Sequence, residues 1–204
     1  MNKFRDKNPQ STSDDSAFDE YGDYKDVLVI DFYNKCGYCD DHDSYVGGWR
    51  GMQIDHFAPK TPFTEVEHKY ENLVYSCFYC NNAKRNDWVT DSHDRPINDN
   101  GNKGYVYPKD DNYNALFTRS ESGSIIPENA IGVYMYTKLN LGLTRHELIC
   151  TMERINKAID EIDEILKTDG LEEEIISVLT TNKTTFLENK NIIDKQFRKI
   201  IDAR

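Results

Sequence analysis

The sequence predicts an α+β chain: a small mixed module in the N-terminal half and a mainly helical C-terminal extension. Three observations lead there. Four cysteines fall into two C-x-x-C pairs, Cys36/Cys39 and Cys77/Cys80. Between the pairs, Met52 and Ile54 alternate with polar neighbours as a strand does, and Pro59 stops the pattern. Beyond residue 143 the apolar positions Leu148, Ile149, Met152, Ile155, Ile159, Ile162 and Leu166 recur at helical spacing.

The elements follow in chain order. Residues 1–24 are polar and acidic with few apolar anchors, which predicts a flexible arm. Residues 25–90 form the mixed module: an apolar stretch at Val27–Phe32 that fits a short helix or a strand, with the helix favoured, then the first knuckle, and the strand ending near Asp55-His56. A polar connection with Pro62, a second apolar run, the second knuckle and a short helix over Ala83–Trp88 complete it. Gly37 is expected to let the first knuckle turn tightly. Residues 91–143 are a connecting region of loops with short strands near Gly104–Tyr107 and Gly123–Pro127, then a helix from about 129. In residues 144–204, Thr144 and Glu147 form a capping box and Gly170 ends the first helix. Two further helices are expected at 171–180 and 184–202. The apolar stripe predicts a core or an interface, with Cys150 buried on it.

Composition narrows the function classes. No run of eighteen apolar residues exists, so no membrane span is expected, and the first residues lack the apolar region of a secretory signal. A cytoplasmic location follows as the default expectation, and there paired cysteines are better read as metal ligands than as disulfides. The formal charge of −11 argues against holding nucleic acid by bulk electrostatics, because phosphate contacts need clustered Lys and Arg. Any such activity must rest on a local site, a metal ion or a basic partner.

Four thiolates supplied by two knuckles match a closed tetrahedral zinc site, Cys36, Cys39, Cys77 and Cys80. The ion would substitute for a core that so short a module cannot build. A redox pair would need one knuckle and a βαβ context, which is absent. Asp55 and His56 lie between the knuckles, Asn72 precedes the second and Asn81 follows it, with Lys84 three residues on. Each alone is weak: a lone histidine is more often structural, and asparagines form turns. His42, His68 and His93 lack such context and read as surface residues. Tyr38, Tyr75, Phe78 and Tyr79 read as packing around the zinc.

Taken in order, C-x2-C, DH-x2-PK, N-L and C-x2-C-N-x2-K, the pattern over residues 36–86 resembles the zinc-containing branch of the HNH endonucleases. The resemblance implies a zinc-stapled ββα-metal core, a hairpin and a following helix gripping one divalent ion. It implies His56 as the general base, Asp55 and Asn81 as ligands of a catalytic Mg²⁺ or Mn²⁺, and Asn72 as the residue that orients the base. Lys84 and Lys60 would contact phosphate. Many relatives carry histidine where this chain has Asn81, and the harder amide oxygen favours Mg²⁺ or Mn²⁺. Residues 105–143 are similar to the segment after the core in stand-alone bacterial HNH proteins. Several of those act in anti-phage defence, some with an ATPase, as in the nuclease subunit of Septu-type systems. DNA cleavage of low sequence specificity is therefore expected, with a protein partner docking on the helical C-terminal region. An RNA-directed nuclease and a catalytically silent zinc-binding module are the alternatives.

Overall fold

A computed structural model describes residues 2–93 and 101–202, so part of the expected connecting region, 94–100, lies outside the described residues. In chain order the elements begin with β1 (Asn2–Lys3), α1 (Lys25–Asp31), β2 (Met52–His56), β3 (Leu73–Cys77) and α2 (Phe78–Lys84). There follow β4 (Phe117–Arg119), β5 (Ile125–Pro127), α3 (Ala130–Lys138), α4 (Thr144–Leu166) and α5 (Glu173–Asp202). The chain divides into two compact units, Met1–Leu143 and Thr144–Arg204. The architecture is the expected mix of small sheets, short helices and a helical C-terminal region. Among the described residues no helix is long and apolar enough to cross a membrane.

In the first unit β2 and β3 form an antiparallel hairpin in which Asp55 faces Val74 and His56 faces Leu73. A second sheet has the order β1-β4-β5. The interior is unusually rich in tyrosine: Tyr24, Tyr38, Tyr70, Tyr75, Tyr105 and Tyr113 are all fully buried. A buried phenol needs an acceptor, and carboxylates supply several of them. Tyr75 Oη donates to Asp43 Oδ2 (2.9 Å), Tyr105 Oη to Asp87 Oδ2 (2.7 Å), and Tyr70 Oη to Asp31 Oδ2. Part of the acid that makes the chain so negative is thus internal wiring.

Several expectations are corrected. Residues 2–24 are held in place, although their composition reads as a flexible arm. β1 pairs with β4, and Phe4 is buried. The Thr12 amide donates to Asp31 Oδ2 (2.9 Å), the Tyr70 amide to Asp15 Oδ1 (2.8 Å), and Tyr24 Oη to the Asp14 carbonyl (2.8 Å). Polar anchors hold this segment, and a hydrophobicity reading does not count them. Tyr105–Tyr107 belongs to no named strand; its tyrosine hydroxyls anchor it, Tyr107 Oη reaching the Leu73 carbonyl at 3.1 Å. α2 starts five residues before the expected helix at Ala83 and ends at Lys84, because Cys77 caps it by accepting from the Cys80 amide (3.5 Å).

In the second unit α4 and α5 pack on each other. α5 is one continuous helix where two were expected. Its threonine-rich middle reads as a break, yet Thr180, Thr181, Thr184 and Thr185 each return a hydroxyl to the carbonyl four residues back. Leu179, Lys183, Phe186, Lys190, Ile193 and Phe197 run through that middle at alternating four and three spacing, the seam that packs on a partner helix. Cys150 is half-buried and not buried as expected.

Arg119 joins three segments of the first unit. Its guanidinium is buried and donates to the carbonyls of Gly123 (2.9 Å), Cys39 (2.7 Å) and Phe4 (3.5 Å). Replacing it with Ala is expected to remove about 2–4 kcal/mol of stability, since buried carbonyls are left without donors. A denaturant midpoint that stays within roughly 0.5 kcal/mol of wild type would show that these carbonyls find other partners.

Candidate active site

The four cysteines converge. Cys36, Cys39, Cys77 and Cys80 are all buried, and their sulfurs lie within 4.8 Å of one another. Tetrahedral zinc with bonds of about 2.3 Å sets its sulfurs roughly 3.8 Å apart, and Cys39 Sγ stands 3.8 Å from Cys77 Sγ. Backbone amides already point at two sulfurs, Cys77 N–H at Cys36 Sγ (3.3 Å) and Cys80 N–H at Cys77 Sγ. The donor set fits a structural zinc. Gly37 is needed here for closeness: a Cβ would sit 2.6 Å from Phe32 Cε1 and 2.8 Å from Val74 Cγ1. The expected tight turn is there, but the packing around the knuckle is what excludes a side chain.

The cluster ties the N-terminus of α2 to the end of β3, and α2 then lies against β2. Side chains two apart on a strand share a face, so Gln53 and Asp55 point the same way. Asn81 and Lys84, three apart on α2, also share a face, and the two faces meet. Asn81 Nδ2 donates to Gln53 Oε1 (2.7 Å), and Lys84 Nζ lies 3.1 Å from Asp55 Oδ2.

Asp55 is a buried acid, 5% exposed. Tyr38 Oη donates to the same Oδ2 at 2.5 Å. Burial pushes the Asp55 carboxyl up from its usual range, while Lys84 and Tyr38 pull it back. Tyr38, expected only as packing, is therefore a direct partner of the acid. Phe78, expected to pack there too, is exposed.

Lys84 departs furthest from expectation. Its side chain is 0% exposed and Nζ also donates to the His56 carbonyl at 2.9 Å. A wholly buried ammonium cannot reach a phosphate in solution; it holds the carboxylate and the strand end. Asp55 Oδ1, by contrast, takes no hydrogen bond among the described residues, and Asn81 donates its nitrogen and keeps its oxygen. Hard oxygens are the donor type a divalent cation takes, though Lys84 beside Asp55 reduces the local negative charge such an ion would meet.

His56 is 9% exposed and closes β2, as the expected strand end at Asp55-His56 requires. Its Nε2 lies 2.9 Å from the Glu67 carbonyl. A carbonyl only accepts, so Nε2 carries the proton and the neutral ring keeps its lone pair on Nδ1. Burial pushes the imidazole pKa down, which favours the neutral form. Among the described residues Asn72 makes no hydrogen bond to the ring. It pins the intervening loop, accepting from the Ala58 amide (2.8 Å) and donating to the carbonyls of Ala58 (2.9 Å) and Val66 (3.1 Å). The orienting contact to His56 comes from the next residue, Glu67. Lys60 is partly exposed and pairs with Glu67 Oε1 at 3.1 Å.

Sequence reasoning missed four members of the site, among them Glu67, whose carbonyl acts from the loop and carries no side-chain signal. Gln53 was detectable, because the strand period places it on the face of Asp55. Tyr38 lies inside the first knuckle but carries no signal for its hydroxyl. Tyr21, whose ring stands edge-on to His56 at 4.6 Å, comes from the segment read as an arm. His42, His68 and His93 stay at the periphery, His42 accepting from the Ser44 amide.

Replacing Lys84 with Met is expected to cost about 3–5 kcal/mol, because Asp55 is left as a buried charge without its cation. A folded-state carboxyl pKa above the unfolded value lets the folded chain hold the extra proton. Without Lys84 the carboxyl is pushed further up, so the loss relative to wild type should be full above the variant's pKa and shrink as pH falls toward the wild-type folded value, itself above 3.8, with no divalent ion added. Equal melts for K84M and wild type at neutral pH would contradict the pairing.

A family model described as HNH endonuclease matches residues 36–87, about a quarter of the chain. A search of curated proteins and a search of solved structures each returned no match. The matched stretch opens at Cys36, carries the hairpin, and closes just beyond α2, so it covers both knuckles and every residue from Asp55 to Lys84. The chain therefore carries an HNH endonuclease domain at residues 36–87.

Proposed function

We propose that the chain is a divalent-metal-dependent endonuclease that hydrolyses phosphodiester bonds in DNA, by nicking or double-strand cleavage, with low sequence specificity. The observation that carries this reading is the pairing of two adjacent residues with different tasks. His56 has its tautomer set by the Glu67 carbonyl, and Asp55 keeps one carboxylate oxygen without a hydrogen-bond partner among the described residues.

In this reading His56 Nδ1 takes the proton of a water that attacks phosphorus, and Nε2–H stays on the Glu67 carbonyl, which steadies the cationic ring as it forms. Asn72 keeps the 58–66 loop in the shape that presents that carbonyl. A Mg²⁺ or Mn²⁺ ion held by Asp55 and Asn81 would neutralise charge on the phosphate and on the departing 3′ oxygen. Lys84 and Tyr38 hold the Asp55 carboxylate in one orientation, and Gln53 holds the Asn81 amide. With Lys84 buried, Lys60 is the lysine left to meet phosphate, exchanging Glu67 for it.

The charge of −11 supports the remaining part of the proposal. A basic protein partner, an ATPase subunit in the anti-phage reading, would dock on charged faces of the helical C-terminal region and bring DNA to a surface that steers it poorly. One observation favours a second reading, a catalytically silent zinc module: Asp55 is already satisfied on one oxygen by Lys84 and Tyr38, as a structural acid would be.

His56→Ala should reduce cleavage of supercoiled DNA by about 10²–10⁴-fold in Mg²⁺ or Mn²⁺, with zinc content and melting unchanged. Total RNA in parallel separates the substrates. Equal cleavage by H56A and wild type would sink the nuclease reading, and RNA cut in preference to DNA would overturn the choice of substrate.

A further inference from the structure

α5 carries two seams. The inner one packs on α4. The outer one runs from Ile175 to Ile200 in steps of three and four, and every position on it is exposed. Ile175, Val178, Ile192 and Ile200 make its ends apolar, with Val178 and Ile192 each 54% exposed. The positions between are neutral polar residues, so no charge falls on a 26-residue stripe of a helix otherwise dense in Lys, Glu and Asp. Scattered exposed apolar residues are ordinary. A charge-free stripe in heptad register from Ile175 to Gln196, continued by Ile200 one turn on, is the pattern of a helix–helix interface.

Charge identifies the occupant. Glu172, Glu173 and Glu174 sit at the start of α5, and Lys195, Arg198 and Lys199 near its end. Arg198 pairs locally with Asp194, leaving the basic end with two further lysines. Parallel pairing of two such helices would set acid on acid and base on base. Antiparallel pairing about a two-fold axis sets each acidic end on the partner's basic end, twice over, and opposes the helix dipoles. It also brings Ile175 and Val178 of one chain toward Ile200 and Gln196 of the other, with Thr185 and Asn189 at the centre.

We propose that the outer seam of α5 is a homodimer interface, on which a second copy of this chain packs antiparallel. It leaves the charged flanks of the helical region free for other partners. The neutral polar centre predicts a reversible dimer, weaker than a seam of leucines would give.

Sedimentation of the full chain over a range of concentrations tests it. The wild type should be a dimer that loosens at high salt. I192E should weaken association by at least about tenfold, with helicity and melting kept because the side chain is exposed. E173K/E174K and K195E/K199E should each weaken it, and mixing the two should restore a dimer. A wild type that stays monomeric at all concentrations, a dimer indifferent to I192E, or the seam occupied only by a different protein would each overturn the proposal.

Discussion

The four-cysteine cluster is the constraint on which the first unit depends. It joins Cys36 and Cys39 to Cys77 and Cys80 across the whole β2–β3 hairpin. That closure starts α2 at the end of β3 and lays it on β2. From there the contacts follow by period: Asn81 meets Gln53, and Lys84 meets Asp55. A loop this long is expensive to close by packing alone, and the bonds of a bound zinc to the four sulfurs would add their free energy to that closure.

The site was legible in the sequence to the extent that its residues sit at fixed offsets from the cysteines. Asp55, His56, Asn72 and Asn81 all fall in the hairpin and helix that the knuckles frame. The role given to Lys84 was not legible, because a lysine three residues after Asn81 reads the same whether its ammonium faces solvent or a buried carboxylate. Only the packing of α2 on β2 decides. Long-range partners were hidden for the same reason. Tyr21 reaches His56 and Tyr38 reaches Asp55 across contacts that no spacing encodes. The fold divided similarly: β2, α3 and α4 announce themselves by periodicity, α1 has a pattern that fits a helix or a strand, and β1 and β4 are too short to show one. The continuity of α5 rests on threonine hydroxyls that propensity counts as a weakness.

The acidity of the chain has two components with different consequences. Asp31, Asp43 and Asp55 are buried and accept hydrogen bonds from tyrosine hydroxyls, so they organise the interior and project little field outward. The glutamates at the start of α5 are surface charge and act on partners. A composition count merges the two, which is why net charge informs association better than it informs the active site.

Removal of the zinc tests the central dependence most directly. Treating the chain with a thiol-specific mercurial should release one zinc per chain, and the near-ultraviolet signal of the buried tyrosines and the cooperative melt of the first unit should disappear together. Helical signal from α4 and α5 should persist. A first unit that keeps its tyrosine signal and its cooperative melt after the metal has gone would contradict the account.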